Sequence, residues 1–272
     1  MKIKRILESA AAKFGGAVVK EAIKLLPGGY IAIAGAEIAG IAIESTLEEV
    51  ANRDLSSREK IRVAVSASTV ITKIAKKIEQ GEILRDDNEF FTSDGMNNSS
   101  AQEIFEGVLL KCKQEHEERK IKFISNIMAN IAFEKEVGVY EANQMIKIAD
   151  TLTYRQLTMI SIIIMNENER LNLLSELIVG PEYWEVSYRQ ELLDLIRLGI
   201  VQQVFVDFEE IILTPEYIQE RVMTNDFGVV SSWDQIIPEA LVLTAFGTIL
   251  YEYMGLEELP EVDLEITKKL MS

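Results

Sequence analysis

The sequence predicts a mostly α-helical protein, with helical N-terminal and middle regions followed by a C-terminal winged-helix-like α+β domain. Three observations lead to this class. Hydrophobic residues make up 48% of the 272 residues but aromatic residues only 7%, and a core rich in Ala, Ile and Leu favours helices packed on helices. Apolar residues recur at three- and four-residue spacing along much of the chain, as in amphipathic helices. Residues typical of strands cluster only after Gly199. We divide the chain into residues 1–46, 47–150 and 151–272.

The first region begins with a basic amphipathic stretch on an otherwise acidic protein. Residues 1–26 contain six basic and two acidic residues, so their charge is +6 − 2 = +4, and the remainder carries −16 − 4 = −20. Such a stretch can lie in an anionic headgroup layer with its apolar face buried. Charged residues interrupt any apolar run before Leu25, which disfavours a secretory signal. The basic residues and the aromatic side chain that we expect at the membrane are Lys2, Lys4, Arg5 and Phe14.

A segment of small residues follows a Pro-Gly-Gly break at residues 27–29. Gly28, Ala32, Ala36 and Gly40 recur every four residues, a spacing that lets helices approach closely in a membrane. The segment is short for a lone span, and Glu37 makes insertion costly unless the carboxylate is paired or lines a polar interior. Two arrangements therefore fit. The segment inserts as an oligomer, or it forms a small-residue helix inside a soluble core or a homodimer seam.

The middle region, residues 47–150, predicts three amphipathic helices with capping signals. Ser56 and Glu59 form a capping-box pattern, and a second pair is Ser100 with Glu103. We expect the first helix to end near Gly81 and residues 85–99 to form a polar loop. A charged run spans residues 113–122. The predicted apolar faces are Ile61, Ala64, Val65, Ile71, Ile74, Ala75 and Ile78, then Ile104, Phe105, Val108, Leu109 and Cys112, then Ile124, Ile127, Met128 and Ile131.

The third region, residues 151–272, has the element order of a winged helix. Thr153 and Gln156 predict a cap, and helices are expected at 154–164, at 171–179 and at 187–198, the last ended by Gly199. Residues 201–208 and 211–213 predict two paired short strands. A last clear helix is expected to end at Gly255. We interpret this region as a module that binds a protein partner.

Nucleic acid is an unfavourable partner. The net charge of −16 opposes binding to phosphates, which requires clustered Lys and Arg. On the helix that would read DNA, Arg189 and Arg197 stand beside Glu191 and Asp194, so their charges are offset.

No motif indicates catalysis, a cofactor or a metal. The phosphate-binding, dinucleotide-binding, nucleophile-elbow and zinc-protease patterns are all missing from the sequence. Cys112 and His116 are four residues apart on one predicted helix face, but zinc needs three or four ligands and the chain has one Cys and one His. The acidic stretch 86–95 lacks the ligand spacing of an EF-hand. We expect no catalytic, cofactor-binding or metal-binding residues.

Two stretches resemble bacterial abortive-infection alpha proteins. These are residues 106–133, which include Ile127-Met128-Ala129-Asn130-Ile131, and residues 142–163, which include Thr151-Leu152-Thr153-Tyr154-Arg155-Gln156-Leu157. They occupy places comparable to an L-x-N-A-M-like helix end and a later helix in that family. The resemblance implies a role in antiphage defence, in which infection is answered by arrest or death of the host cell. It carries over no functional residues.

The sequence therefore leads to two functional hypotheses. In the first, the chain is a non-enzymatic cytoplasmic protein that forms a homo-oligomer and engages the inner membrane through the set Lys2, Lys4, Arg5, Phe14, Gly28, Ala32, Ala36, Glu37 and Gly40. In the second, it is a soluble helical adaptor that binds a partner protein through residues 151–272. The single Cys112 fits a reducing compartment.

Overall fold

A computed structural model of the chain describes residues 45–87, 90–92, 98–167, 183–204 and 240–271. These residues are mostly helical, with a single two-stranded sheet among them, which confirms the predicted mostly α class. The chain divides into two compact units. The first comprises Met1–Tyr154 and Leu250–Glu257, and the second comprises Arg155–Ile249 and Glu258–Ser272. Each unit is described by itself below.

The described helices and strands include one helix at residues 139–151, one strand at residues 240–243 and one helix at residues 261–271 that were not predicted from the sequence. In chain order, the described elements are α1 (Ser57–Glu79), α2 (Ser100–Gln114), α3 (Ile121–Ile131), α4 (Val139–Thr151), α5 (Tyr154–Glu167), α6 (Tyr183–Arg197), β1 (Val201–Val204), β2 (Ala240–Leu243), α7 (Ala245–Met254) and α8 (Glu261–Met271). Residues 45–51 are also helical, and short 3₁₀ turns cover Glu118–Lys120 and Leu256–Glu258.

The start of α1 forms the predicted capping box. The Ser56 hydroxyl accepts a hydrogen bond from the Glu59 backbone N–H at 3.4 Å, and the Glu59 carboxylate accepts one from the Ser56 N–H at 2.8 Å. These bonds satisfy two donors that a helix start leaves open. The helix ends at Glu79, just before Gly81, as expected.

The buried face of α1 is rotated from the predicted one at its N-terminal end. Ile61 is 47% exposed and Val65 is half-buried, so their assignment to the core was wrong. Val63, Ala67 and Val70 are buried instead. The reason is that the middle of α1 is buried on several sides, so that small residues and serines there are buried as well.

The cap of α2 lies one residue earlier than predicted. Ser99, rather than Ser100, accepts from the backbone N–H of Gln102 at 3.2 Å, and the Gln102 side chain accepts from the Ser99 N–H at 2.7 Å. Either serine has a suitable partner three residues later. A tertiary contact favours Ser99 as the cap. The Ala101 N–H, which has no partner within the first turn of the helix, donates to the Phe90 carbonyl at 2.7 Å.

The core of the first unit lies among α1, α2, α3 and α4. The predicted apolar faces of α2 and α3 are fully confirmed, since every member is at most 1% exposed. Between α1 and α3, Ser66 and Ser125 are both 0% exposed, and their hydroxyls lie 2.8 Å apart. The Ser125 hydroxyl also lies 2.6 Å from the Ile121 carbonyl, so these two buried hydroxyls have hydrogen-bond partners.

The charged run at residues 113–122 contains a buried ion pair that the sequence pattern does not reveal. The helix ends at Gln114, and the chain turns back before α3. Lys120 and Glu115 have side chains only 2% and 3% exposed and lie 2.7 Å apart. Lys120 also donates to the Asp150 carbonyl at 3.1 Å. Removing either partner would leave a buried charge uncompensated.

In the second unit, β1 pairs with β2 in antiparallel register from Val201–Leu243 to Val204–Ala240. The strand β1 lies within the strand predicted at residues 201–208, whereas no strand was predicted at residues 240–243. The predicted strand at 211–213 and helix at 171–179 lie outside the described residues. Gly199 ends α6 with φ +69°, as predicted. The helix α8 was missed, and α7 is not the last helix.

The buried side of α8 is fixed within the second unit by a hydroxyl pair. Thr267 is 4% exposed, and its hydroxyl lies 2.8 Å from that of Thr158 on α5. Leu264 is also buried, at 7% exposed. The side of α8 that carries Val262 and Ile266 therefore faces outward, where these residues are 65% and 55% exposed.

We predict that Gly247→Ala strongly destabilises the protein. A Cβ at Gly247 would lie 2.1 Å from the Ile200 carbonyl oxygen, so backbone must shift. We expect a loss of about 2–3 kcal/mol in the free energy of unfolding, typical of overpacking, in urea denaturation. Gly107→Ala is the control, because its Cβ would meet nothing closer than 3.9 Å and alanine favours a helix. Equal effects of the two substitutions would contradict the prediction.

Candidate functional site

The residues predicted to contact a membrane or an oligomer partner lie outside the described residues. This holds for the whole set of Lys2, Lys4, Arg5, Phe14, Gly28, Ala32, Ala36, Glu37 and Gly40. In the part of the chain that the structure describes, none of the helices combines the length and the apolar character needed to cross a bilayer.

The predicted pairing of Cys112 and His116 on one helix face is wrong. Since α2 ends at Gln114, His116 lies beyond the helix. Cys112 is 0% exposed, and burial raises the pKa of its thiol to about 11. The His116 side chain is 88% exposed. A buried protonated thiol and an exposed imidazole do not form a metal site.

A different group, Glu115, His116 and Glu117, brings three potential ligand atoms within 4.8 Å of one another. Both carboxylates already have structural partners. Glu115 pairs with Lys120, and Glu117 accepts from the Tyr154 backbone N–H at 3.2 Å. The group therefore serves to close the turn before α3 and to hold the start of α5.

The most developed polar site in the first unit is where two asparagines of α3 meet the end of α7. The Asn126 side-chain amide donates to the Met254 carbonyl at 2.8 Å, and the Asn130 amide donates to the Tyr253 carbonyl at 2.9 Å. The last carbonyls of a helix have no partner within it. These amides satisfy them, and we call this arrangement the amide joint. Asn130 also accepts a hydrogen bond from the Lys77 amine at 3.3 Å.

Gly255 allows the close approach at the amide joint. Its φ of +65° favours glycine, and a Cβ there would lie 2.8 Å from both the Asn126 amide nitrogen and the Lys73 amine. Asn126 is 1% exposed, and its Oδ1 has no hydrogen-bond partner among the described residues. The joint is thus tightly packed but keeps one unsatisfied acceptor, which costs stability.

Arg85 anchors the start of the acidic stretch that we predicted to be a solvated loop. Its side chain is only 4% exposed and makes two bonds to the Asp87 carboxylate, at 2.8 and 2.6 Å. It also donates to the Val137 carbonyl at 2.9 Å and stacks on the Phe90 ring, with the guanidinium carbon 3.8 Å from the centroid. The described part of this stretch is therefore packed, because planar Arg serves both a carboxylate and an aromatic face.

In the second unit, the outward side of α8 presents apolar and acidic residues side by side. Val262 and Ile266 are four residues apart and lie on one side of the helix. Glu261 and Glu265, also four residues apart, are exposed next to them. Residues 258–267 contain four acidic residues and no basic ones, a charge of −4. We call Glu261, Val262, Glu265 and Ile266 the α8 face.

Comparison with known proteins gives no match. No family model matches the chain, and no curated protein and no solved structure matches it significantly.

We predict that Asn126→Ala destabilises the amide joint. The Met254 carbonyl loses its buried donor, which costs about 1–3 kcal/mol. Asn143→Ala is the control, because Asn143 donates to the Glu103 carboxylate at 2.8 Å in an exposed position. Urea denaturation should show the larger loss for Asn126→Ala, and hydrogen exchange should accelerate at residues 250–257. If exchange there is unchanged, the joint does not hold this segment.

We predict an acid-sensitive contribution from Asp87. Its hydrogen bonds with Arg85 hold the pKa of the Asp87 carboxyl below the ordinary value of 3.8. When folding lowers the pKa of a carboxyl group, the charged carboxylate stabilises the folded protein at pH values above the ordinary pKa. This stabilisation is lost as the pH falls through the pKa of the folded state. Because the Asp87 side chain is 42% exposed, solvent screening limits the effect to about 1 kcal/mol.

The comparison of wild type with Asp87→Asn across pH tests this contribution. The difference in unfolding free energy should be constant near neutral pH and should shrink as the pH falls below 3.8. Asp54→Asn, at an exposed position, is the control. A difference that grows on acidification would contradict the assignment.

Proposed function

We propose that this protein is a non-enzymatic effector that forms homo-oligomers and binds an anionic membrane surface through its N-terminal segment. The observation that carries the proposal is the contrast in charge. Residues 1–26 carry +4 and the rest of the chain carries −20. A basic amphipathic segment gains about 1 kcal/mol per basic residue near an anionic leaflet, whereas the acidic remainder is repelled by it.

The small-residue ladder supports the oligomeric part of the proposal. Gly28, Ala32, Ala36 and Gly40 would form a groove for close helix contact, and Glu37 would then face other helices rather than lipid. Several copies together can shield this carboxylate better than one.

The resemblance to abortive-infection alpha proteins suggests what membrane engagement is for. We propose that the protein acts in antiphage defence in the bacterial cytoplasm, where a trigger exposes the N-terminal segment to the inner membrane. The segment would then arrest or kill the infected cell by disturbing that membrane.

Charge reversal tests the membrane proposal. The triple variant Lys2→Glu, Lys4→Glu and Arg5→Glu should lose binding to phosphatidylserine-containing vesicles by about a hundredfold or more, since three basic contacts of about 1 kcal/mol each are removed. Flotation of the full chain measures the bound fraction.

The control variant reverses three exposed lysines of the first unit, Lys60, Lys76 and Lys122. It has the same net charge as the triple variant, so it separates a local contact from a general charge effect. Equal binding by wild type and the N-terminal variant would reject the proposal.

A second candidate function is a soluble adaptor whose winged-helix-like second region binds a partner protein. The exposed Val262 and Ile266 on α8 favour it, because adjacent exposed apolar residues on a helix are a common basis for protein contact. Under this alternative the protein would ignore vesicles. Substitution of Val262 and Ile266 by Ser would then abolish partner binding in a pull-down.

A further inference from the structure

The start of α1 and the turn before α3 form a basic surface on an acidic protein. Residues 58–62 and 113–122 together carry +7 − 4 = +3, although the whole chain carries −16. The two stretches are in contact, because Arg62 donates to the Lys113 carbonyl at 3.4 Å. We call the surface of these two stretches the basic face. Its exposed cations are Arg58, Lys60, Arg119 and Lys122.

The cations of the basic face have neighbours in the first unit but remain open to solvent. The Arg58 side chain lies 3.1 Å from the Glu118 carboxylate and is 75% exposed. The Arg119 guanidinium lies 5.4 Å from the centre of the Tyr154 ring. Exposed ion pairs of this kind contribute little stability, so carboxylates of another molecule can compete for the same cations. Ile61, at 47% exposed, adds an apolar side chain beside them.

The other end of α1 carries an acidic surface of the same first unit. Residues 82–87 and 134–141 together carry −6 + 2 = −4. These stretches are also in contact, because Arg85 donates to the Val137 carbonyl at 2.9 Å. We call their surface the acidic face. Its exposed carboxylates are Glu82, Asp86, Asp87, Glu134, Glu136 and Glu141.

The acidic face also exposes apolar and aromatic surface. Ile83 and Tyr140 are 85% and 87% exposed, more than any other large apolar side chain that the structure describes. Aromatic residues, Tyr among them, are enriched in protein interfaces. The acidic face thus offers a partner both charge and apolar area.

The two faces cannot meet within one first unit. The helix α1 has 23 residues, and at 1.5 Å per residue its ends lie about 30 Å apart. Opposite charges on two separated faces of one molecule can be paired only between copies. Like faces would repel each other, so charge complementarity also selects which surfaces meet.

We propose that the basic face of one copy docks on the acidic face of a second copy. The inference rests on the homo-oligomer proposed above and gives it a contact outside the small-residue ladder. Because the two surfaces differ, every docked pair keeps one free basic face and one free acidic face. Copies therefore add head to tail until a ring closes.

Sedimentation velocity of the full chain without lipid tests this contact. The wild type should associate at about 50 mM salt, and the association constant should fall by about tenfold or more at about 500 mM, because exposed charges are screened. Absence of association at low salt, or association that salt does not weaken, overturns the proposal. This series needs no substitution, so it applies even where a variant fails to fold.

Charge reversal on each face locates the contact. The basic-face variant is Arg58→Glu with Arg119→Glu, and the acidic-face variant is Glu134→Arg with Glu136→Arg. Either substitution should lower the association constant by about tenfold or more, since like charges then meet. Each variant keeps one native face, so an equal mixture should form pairs again. The pairs should not grow further, because only one native contact is left between two chains.

A matched control separates a local contact from net charge. Lys76→Glu with Lys147→Glu changes the net charge as much as the basic-face variant does, at two exposed lysines outside both faces. It should associate like wild type. Loss of association in the control, or a mixture of folded variants that does not form pairs, contradicts the docking. Urea denaturation checks that each variant is folded, and substitution to Gln at the same positions replaces any variant that is not.

Flotation with phosphatidylserine vesicles separates this contact from the membrane function. Vesicle binding by a wild type that stays monomeric rejects the docking and keeps the membrane function. Association that follows the expected pattern, without vesicle binding by any chain, supports the docking and rejects the membrane function. Lipid is the rival ligand of the basic face. Vesicle binding that survives reversal of Lys2, Lys4 and Arg5 but is lost when Arg58→Glu and Arg119→Glu are added would assign the basic face to lipid and overturn the proposal.

Discussion

The packing of α1 against α3 is the contact on which the first unit depends. Nearly every side chain of α3 is buried, and α1 buries small residues and serines along its middle. Serines at positions 66 and 125 allow the backbones to come close, while their hydroxyls satisfy each other at 2.8 Å. With α3 held in this way, its two asparagines point at the end of α7. Residues Leu250–Glu257 of the first unit are thereby held by side-chain amides of α3.

The buried polar groups determine which segments of the first unit meet more than they add to its free energy of folding. The Lys120–Glu115 pair and the Arg85 cluster both sit where a loop must return to the helices. Buried ion pairs cost much of their attraction in lost hydration. They join specific residues, however: Lys120 to Glu115 and to the Asp150 carbonyl, and Arg85 to Asp87 and to the Val137 carbonyl.

The functional proposals concern surfaces rather than an enclosed centre. The N-terminal segment of this chain is basic, whereas the rest of the chain is acidic and includes the exposed carboxylates of α8. Under the proposed function, the basic N-terminal segment is attracted to an anionic lipid surface and the acidic remainder is repelled by it. Both effects weaken as the ionic strength rises and grow with the density of anionic lipid.

The sequence by itself determined the features that depend on local spacing. It predicted the mostly α class, the cap at Ser56, the apolar faces of α2 and α3, a strand that begins at residue 201 and the helix ends near Gly81, Gly199 and Gly255. Each of these follows from hydrogen bonding or side-chain periodicity within a few residues. The contrast between residues 1–26 and the rest is likewise a property of composition alone.

Only the tertiary structure decided the features that depend on distant partners. Ser99 was selected over Ser100 because the Phe90 carbonyl, in the loop that precedes α2, accepts a hydrogen bond from the Ala101 N–H. The burial of Lys120 and the partners of Asn126 and Asn130 could not be predicted, since they involve residues up to 128 positions away. The strand at residues 240–243 was not predicted, since its partner β1 lies almost forty residues earlier in the chain. The helix α8 was missed because its apolar residues are divided between a buried side and an exposed one. Periodicity identifies an amphipathic face, but the neighbours that cover it are set by the fold.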